Sequence, residues 1–436
     1  MAVRVPSVMR RVRSARFGRP RLPARLSPRR ARIFAFVGLL GPGLIAANAG
    51  NDAGGIATYS AAGAKFGYEL LWTLVIITVS LGIVQMLAAR MGVVTGKGLA
   101  ELIREEYGIR WSVLATTAVV VASLGICISD FVGIGAALGL AGVPAQVSVP
   151  IAAVGIWLII VRGSYRSAER IFVWFTLPFF AYPVAAILAH PDWNEVGRSL
   201  VVPTVHLSSA YLLILIATAG TTITPYMQLY LQSAVVERGV HRDELRHEER
   251  EAVSGAVFAN VIAAFIMIAT AATLFVHGVH EISSAAEAAR ALNPFAGRYA
   301  EALFAIGLLG ASLLAAAILP IATSYVISES LGYEKGIGRR REEAPVFVGV
   351  ITAMIAISTV VAVIPGVPVI SLLVGVQVVN GLLLPINLFF IWSLARSGSL
   401  MGEQRLRGPM DVVMAATVLL LSTLSFVLVI VTLLGL

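Results

Sequence analysis

Apolar runs of roughly 20 residues, the length a helix needs to cross a hydrocarbon core, recur along this 436-residue chain, separated by short polar breaks. Windows of that kind fall near residues 35–62, 69–89, 111–140, 145–161, 171–189, 207–235, 252–276, 299–328, 345–364, 368–395 and 411–435. The pattern predicts an all-α polytopic membrane protein with about eleven transmembrane helices. No long polar segment interrupts the spans, so residues 33–436 read as a single transmembrane domain and residues 1–32 as a separate arm. An appended enzyme domain has no room in this pattern, and no residue is assigned a catalytic role.

Two of the windows are broken in corresponding places. Span one is interrupted from Asn48 to Gly55, within Gly50-Asn51-Asp52-Ala53-Gly54-Gly55. Span six, five later, is interrupted at Gly220-Thr221-Thr222-Ile223-Thr224-Pro225-Tyr226-Met227-Gln228. Matched interruptions in two halves are the sequence mark of inverted repeats with a binding site near the midplane. Spans 1–5 and 6–10 are therefore expected to be inverted repeats, with helices 1 and 6 unwound at the midplane. Unwinding frees carbonyls and amides, tolerable at membrane depth only inside protein or along a water-filled cavity, and freed carbonyls can ligate cations. Glycine lowers the steric cost of such backbone, and Pro225 lacks an amide and clashes with the preceding turn. Glycine and proline also serve kinking and close packing in membrane helices. The coincidence of both breaks with Asp52 singles this place out, because a charge within a span is expensive and persists mainly where it faces a pathway and has a compensating partner.

Composition agrees with the pattern: 58% of residues are hydrophobic and 13% charged, and the mean hydropathy is +0.86. The formal charge of +9 resembles a nucleic-acid signal until it is located. Residues 1–32 hold 11 of the 33 basic residues and no acid, leaving 22 basic against 24 acidic over the rest. With this arm in the cytoplasm, only Lys65, Arg198, Arg290 and Arg298 fall outside, as the positive-inside rule expects. An odd span count then puts the C-terminus outside. The arm reads as a disordered topology signal, with binding to acidic lipid headgroups or service as an organelle transit segment as alternatives. Cys127 is the one cysteine and sits within a span, which excludes an internal disulfide and a cysteine-based metal cluster.

At the two breaks the chain resembles the natural resistance-associated macrophage protein (NRAMP) family of divalent-metal transporters. The likeness runs from about residue 37 to 396: Gly41-Pro42-Gly43 leading into Asp52, then Phe66-Gly67-Tyr68, Leu70-Leu71-Trp72, Gln85 to Gly92, Thr95-Gly96 with Leu99-Ala100-Glu101, Pro191-Asp192-Trp193, and Leu229-Tyr230-Leu231 with Ser233-Ala234. The resemblance implies a LeuT-like fold and a metal site between the two broken helices. The family carries D-P-G-N in the first break and M-P-H in the second. Here the first reads Asp52-Ala53-Gly54-Gly55, so the aspartate matches and Gly55 replaces the asparagine. A carbonyl ligand of the family falls on Ala49. In span six Thr224 stands in place of the methionine and Tyr226 in place of the histidine. One extra residue precedes Leu229-Tyr230-Leu231, so Thr224, Met227 and Gln228 all remain candidates to face the ion. In span ten Gln377 matches a family glutamine near the ion, and Asn380 lies one helical turn on.

These replacements change the expected chemistry. Thioether is a soft ligand that helps select transition metals, whereas carboxylate, hydroxyl, amide and carbonyl oxygens suit Mg²⁺. Mg²⁺ keeps several of its waters and needs few direct protein ligands. The family's proton route is also depleted: no histidine lies at the centre of span six, Asp130 remains in span three but Gly133 replaces a second acid, and no Lys or Arg occurs between Arg341 and Arg396. The combination is most like the NRAMP-related magnesium transporter branch.

The expected metal site comprises Asp52, Ala49, Gly55, Thr224, Met227, Gln228 and Gln377, with Asn48, Asn51, Tyr226, Asn380 and Asp130 behind it or along the pathway. Asp130 and both span-one asparagines could equally serve as buried hydrogen-bonding groups, and interhelical hydrogen bonding competes with ligation at Gln377 and Asn380. His277 and His280 read as residues of a solvated external loop. The transported substrate is expected to be Mg²⁺, with Mn²⁺, moved by alternating access without obligatory proton coupling and without a resident cofactor. A proton-coupled Mn²⁺/Fe²⁺ symporter using Met227 is the alternative, and a sodium-coupled organic-solute carrier or a non-transporting membrane receptor are alternatives of another class. The expected partners are the metal ion and the lipid bilayer of a bacterial inner membrane, not nucleic acid. The oligomeric state is left open.

Overall fold

A computed structural model describes residues 51–162, 180–290, 300–337 and 341–434. Among them the chain is helical or irregular, with no strand. The helices are α1 (Ala53–Phe66), α2 (Leu71–Thr95), α3 (Leu99–Tyr107), α4 (Ile109–Leu140), α5 (Ala145–Arg162), α6 (Ala181–Leu188), α7 (Trp193–Val201), α8 (Ser209–Thr222), α9 (Pro225–Arg238), α10 (Leu245–Thr273), α11 (Ala300–Leu331), α12 (Pro345–Ala362), α13 (Val369–Arg396) and α14 (Pro409–Leu434). Nine spans among the described residues are long and apolar enough to cross a membrane, and they follow the predicted windows for spans two to four and six to eleven. The remaining two windows are described only in part, span one from residue 51 and span five from residue 180. The basic arm, Asn48 and Ala49 lie outside the described residues.

Helix ends follow local chemistry. Asp192 caps α7 by accepting from the Asn194 and Glu195 amides, and Ser208 caps α8. Gly96 and Gly239 end α2 and α9 in the left-handed region, at φ 66° and 65°, a conformation that costs glycine nothing.

Lipid is as apolar as leucine, so packing and hydrogen bonds, not water exclusion, hold such helices together. Small residues permit the contact. A Cβ on Gly63 of α1 would lie 2.3 Å from the Met267 carbonyl of α10, and one on Gly220 of α8 would lie 2.4 Å from the Gly381 amide nitrogen of α13. The most extensive pairings are α4 with α11, α2 with α10, α8 with α13, and α1 with α10. α1 also touches α4, α8, α11 and α13, which buries it around almost its whole circumference. Large apolar residues such as Val79, Ile151, Val360, Leu419 and Leu433 face outward, a surface suited to acyl chains rather than water. α1 and the α8–α9 junction thus sit deep in the bundle, and that placement creates the site.

Candidate functional site

α1 starts at Asp52. The residue is fully buried, and its extended backbone (φ −68°, ψ −175°) makes it the N-cap, with Oδ1 accepting from the Gly55 amide at 2.6 Å. Gln377 of α13 donates from Nε2 to both carboxylate oxygens, at 3.2 and 3.3 Å. Asn380, one turn on, donates to Gln377 Oε1 at 3.4 Å and to the Gly220 carbonyl at the end of α8. The amides form a relay: Asn380 grips the backbone of span six and orients Gln377, whose donor end is then presented to Asp52. Gly54 makes the approach possible, since a Cβ there would lie 2.2 Å from Gln377 Nε2.

The break in span six is narrower than the glycine- and threonine-rich stretch predicts. Only Ile223 (φ −111°, ψ 61°) and Thr224 (φ −70°, ψ 133°) leave the helix, and Pro225 begins α9 as its first residue. Pro225 removes the amide that would reach back across the junction, and at N1 its fixed φ suits a new helix. Residues 220–222 stay helical because α13 packs against them and Asn380 binds Gly220. Tyr59, two turns along α1 from Asp52, shares a 2.8 Å hydrogen bond with Thr222, tying the first helix to the junction.

The three candidates around that junction point differently. Thr224 is buried at the N-cap of α9. The Met227 sulfur lies 3.9 Å from Gln85 Nε2 of α2, which donates to it. Gln228, with its amide oriented by its surroundings, turns back to the Pro225 carbonyl at 2.9 Å and to that of Thr224. Tyr226 is buried beside them. Asn51 is taken by the Ala259 carbonyl of α10, at 3.0 Å. Asp130 Oδ1 accepts from the Ala53 amide at 3.2 Å, directly behind Asp52, and its Oδ2 has no partner among the described residues. After α10 the ring nitrogens of His277 and His280 lie 2.5 and 3.3 Å from the Thr273 and Ala64 carbonyls, so each imidazole is tied to backbone.

Every buried Asp, Glu, Lys, Arg or His among the described residues is acidic: Asp52, Asp130, Glu248, Glu251 and Glu329. Asp52 and Asp130 accordingly have no ion-pair partner there; amides alone meet Asp52. No three His, Cys, Asp or Glu side chains gather into a metal cluster among the described residues. The arrangement is a fully buried carboxylate held by N–H donors of Gly55 and Gln377.

The profile of the Natural resistance-associated macrophage protein-like family matches residues 43–431. The chain belongs to the NRAMP family. A divalent metal cation transporter MntH from Yersinia pestis (strain Pestoides F) is 32% identical over 301 residues, 66% of this chain and 72% of that relative. The structure of the Eremococcus coleocola manganese transporter in complex with an aromatic bis-isothiourea compound superposes with a TM-score of 0.75 at 20% identity, covering 93% of this chain and 87% of that one. MhsT in complex with L-phenylalanine follows at a TM-score of 0.62 and 15% identity, covering 90% and 98%. The fold is therefore LeuT-like.

Where this NRAMP chain departs from the family pattern, its packing has adapted. Gly133 stands in place of a second acid in span three, and its missing side chain is replaced by neighbours: a Cβ there would lie 2.5 Å from Ala53 Cβ and 2.5 Å from Ser312 Oγ. Gly133→Glu is expected to lower the melting temperature and folded yield in detergent, with the cost of about 1–3 kcal/mol typical of an overfilled core; wild-type thermal stability would refute the contact. No site role followed from the sequence for Tyr59, Gln85 or Ser312, although Gln85 lies in the stretch that resembles the family. Tyr59 was accessible, because a seven-residue spacing keeps it on the face of Asp52. Ser312 carries no local signal.

Proposed function

We propose that this chain carries divalent cations, Mg²⁺ together with Mn²⁺, across the membrane by alternating access without obligatory proton movement. The observation that carries this reading is Asp52: a fully buried carboxylate held by amide donors alone, with no buried cationic side chain among the described residues. A charge so placed calls for a counter-charge, and a transported cation supplies it. The names of the relatives, a divalent metal cation transporter and a manganese transporter, support the class of substrate.

Preference for the harder ion is supported by the donors. Asp52 and backbone oxygens suit a hydrated Mg²⁺, with the Gln377 NH₂ holding the carboxylate, while the Met227 sulfur already accepts from Gln85. Ala49 and Gly55 would add backbone contacts. Thr224 would add a hydroxyl from the break, with Asp130, Asn380 and Asn51 holding the walls. Proton-independent movement is supported by Tyr226 and Gly133, which replace the histidine and the second acid of the family's route. The distribution of basic residues supports a cytoplasmic position for residues 1–32, and an odd number of spans would then put the C-terminus outside.

The test is uptake of ⁵⁴Mn²⁺ into proteoliposomes with a pH-sensitive dye inside. Millimolar Mg²⁺ is expected to compete, and metal entry is expected to leave the lumenal pH unchanged. Lack of competition would refute the ion preference, and metal-driven acidification would refute uncoupled movement in favour of the Mn²⁺/Fe²⁺ symporter.

A further inference from the structure

The last turns of α13 carry a stripe whose chemistry changes along the helix. Phe389, Ser393 and Arg396 follow one another at helical spacing on one face, with Trp392 beside them. Together with Ser397 they line a cleft of about 360 Å³, within the range of small-ligand sites. Phe389 is 47% exposed, and Met410 and Val412, in the first turn of α14, also face outward. From Phe389 to Arg396, roughly 10 Å at 1.5 Å per residue, the surface passes from an apolar ring to a guanidinium.

That guanidinium is fixed in place. Arg396 lies over Trp392, its central carbon 5.0 Å from the ring centroid, and its Nε is 3.5 Å from Asp411 Oδ2. Trp392 Nε1 donates to the other Asp411 oxygen at 2.7 Å, so this carboxylate is engaged twice. The Arg396 side chain is nonetheless 51% exposed. Two more arginines reach the same place through the backbone. The Leu406 amide donates to the Ala395 carbonyl at 2.7 Å, which folds residues 405–407 against the end of α13. Leu406 is buried, while Arg405 and Arg407 on either side of it are exposed. Arg405 sits next to Ser397: a Cβ on Gly398 would lie 3.2 Å from its Nη1. Neither arginine makes a hydrogen bond or ion pair among the described residues. The acids of this stretch are Asp411, already engaged, and Glu403, exposed on the turn before Arg405. Tyr107 of α3 hydrogen-bonds Ser393, and the exposed Glu106 and Arg110 beside it are of opposite sign. Outside the described residues the chain has one carboxylate, Glu169, with Arg166 and Arg170 in the same stretch.

A guanidinium presents a planar fork of donors that matches phosphate, and one pre-oriented on an aromatic ring loses little freedom on binding. An occupant that pairs with arginines at one end of the stripe and lies against Phe389 at the other has an anionic head and an apolar tail. Basic clusters at the cytoplasmic end of a membrane helix suit anionic lipids, and the distribution of basic residues leads to the expectation that this end meets the cytoplasmic leaflet. A lipid held there bridges α13, which carries Gln377 and Asn380, to the loop that leads into α14.

We propose that this cleft binds an anionic phospholipid, with the phosphate between Arg396 and Arg405 and the acyl chains along Phe389, Met410 and Val412. The site is independent of which cation the chain carries. Native mass spectrometry of the purified full chain released from detergent, titrated with phosphatidylglycerol, counts the bound lipid. One phosphatidylglycerol is expected to bind more tightly than phosphatidylcholine. Arg396→Gln combined with Arg405→Gln should weaken it roughly 30-fold, the loss expected for two charges near a membrane surface. Arg405→Gln combined with Arg407→Gln should also weaken it, at an unchanged melting temperature, because both side chains are exposed and unpaired among the described residues. Arg246→Gln combined with Arg250→Gln removes the same charge from exposed positions of α10 and should leave the affinity as it was. Millimolar glycerol 3-phosphate should not displace the lipid. Equal affinity for phosphatidylcholine, an equal loss in the Arg246/Arg250 variant, undiminished binding in the Arg405/Arg407 variant, or displacement by the soluble phosphate would overturn the proposal.

Discussion

Asp52→Asn is expected to abolish metal uptake while leaving the protein folded. The amide matches the carboxylate in shape, and asparagine caps helices about as well as aspartate, so acceptance from the Gly55 amide and the start of α1 are retained. The negative charge is lost. With no other carboxylate contacting Gln377 among the described residues, an ion at the proposed site would lose the counter-charge of Asp52. A loss of at least about 100-fold in uptake, equivalent to roughly 2.7 kcal/mol of ion binding, is expected. ⁵⁴Mn²⁺ uptake into proteoliposomes measures it, with thermal unfolding as the control. Uptake near the wild-type rate would remove Asp52 from the pathway.

Gly220→Ala should be the most damaging small substitution in the bundle. Its Cβ would lie 2.3 Å from the Gln377 carbonyl and 2.4 Å from the Gly381 amide nitrogen. Both obstacles are backbone, so no rotamer change relieves them and α8 must separate from α13. Separation also pulls Asn380 from the Gly220 carbonyl and so disorients Gln377. The cost should exceed the roughly 1–3 kcal/mol usual for an added core methyl, and is read as lost folded yield and a lowered melting temperature. Gly155→Ala in α5 is the control: its Cβ meets nothing within 4 Å, and its stability should be unchanged or raised by up to about 1 kcal/mol through helix propensity. Equal behaviour of the two variants would show that the α8–α13 contact is not so close.

Much of this architecture was legible because a bilayer imposes a length rule that a soluble core does not. An apolar run must be near 20 residues to span, and the nine described spans follow their windows, with most ends shifted by a few residues and the start of span seven, at Arg242, lying ten residues before its window. Asp52 stood out for the same reason, since a lone carboxylate is conspicuous against an apolar background. Gln377 was legible through its match to the family pattern. The extent of the span-six break was not. Gly220, Thr221 and Thr222 look permissive in sequence, and their helical state depends on α13, more than 150 residues away.

The sequence by itself determined the all-helical membrane class, the position of the span-six interruption and the isolated carboxylate; of the span-one interruption, the part from Ala53 to Gly55 is helical and residues 48–50 lie outside the described ones. Each of the three follows from local composition and spacing, which depend on no distant partner, and comparison with the family's motif adds that Thr224 and Tyr226 stand where it has methionine and histidine. The tertiary structure alone decided which side chains meet: that Asn380 holds Gln377 to Asp52, that Met227 is engaged by Gln85, that Ala53 and Ser312 fill the space beside Gly133, and that Glu329 sits over Gly98 beside Lys335. These contacts join segments tens to hundreds of residues apart. A hydrogen bond or a close backbone approach is set to within tenths of an ångström by the packing of whole helices, and no local pattern of residues carries that information.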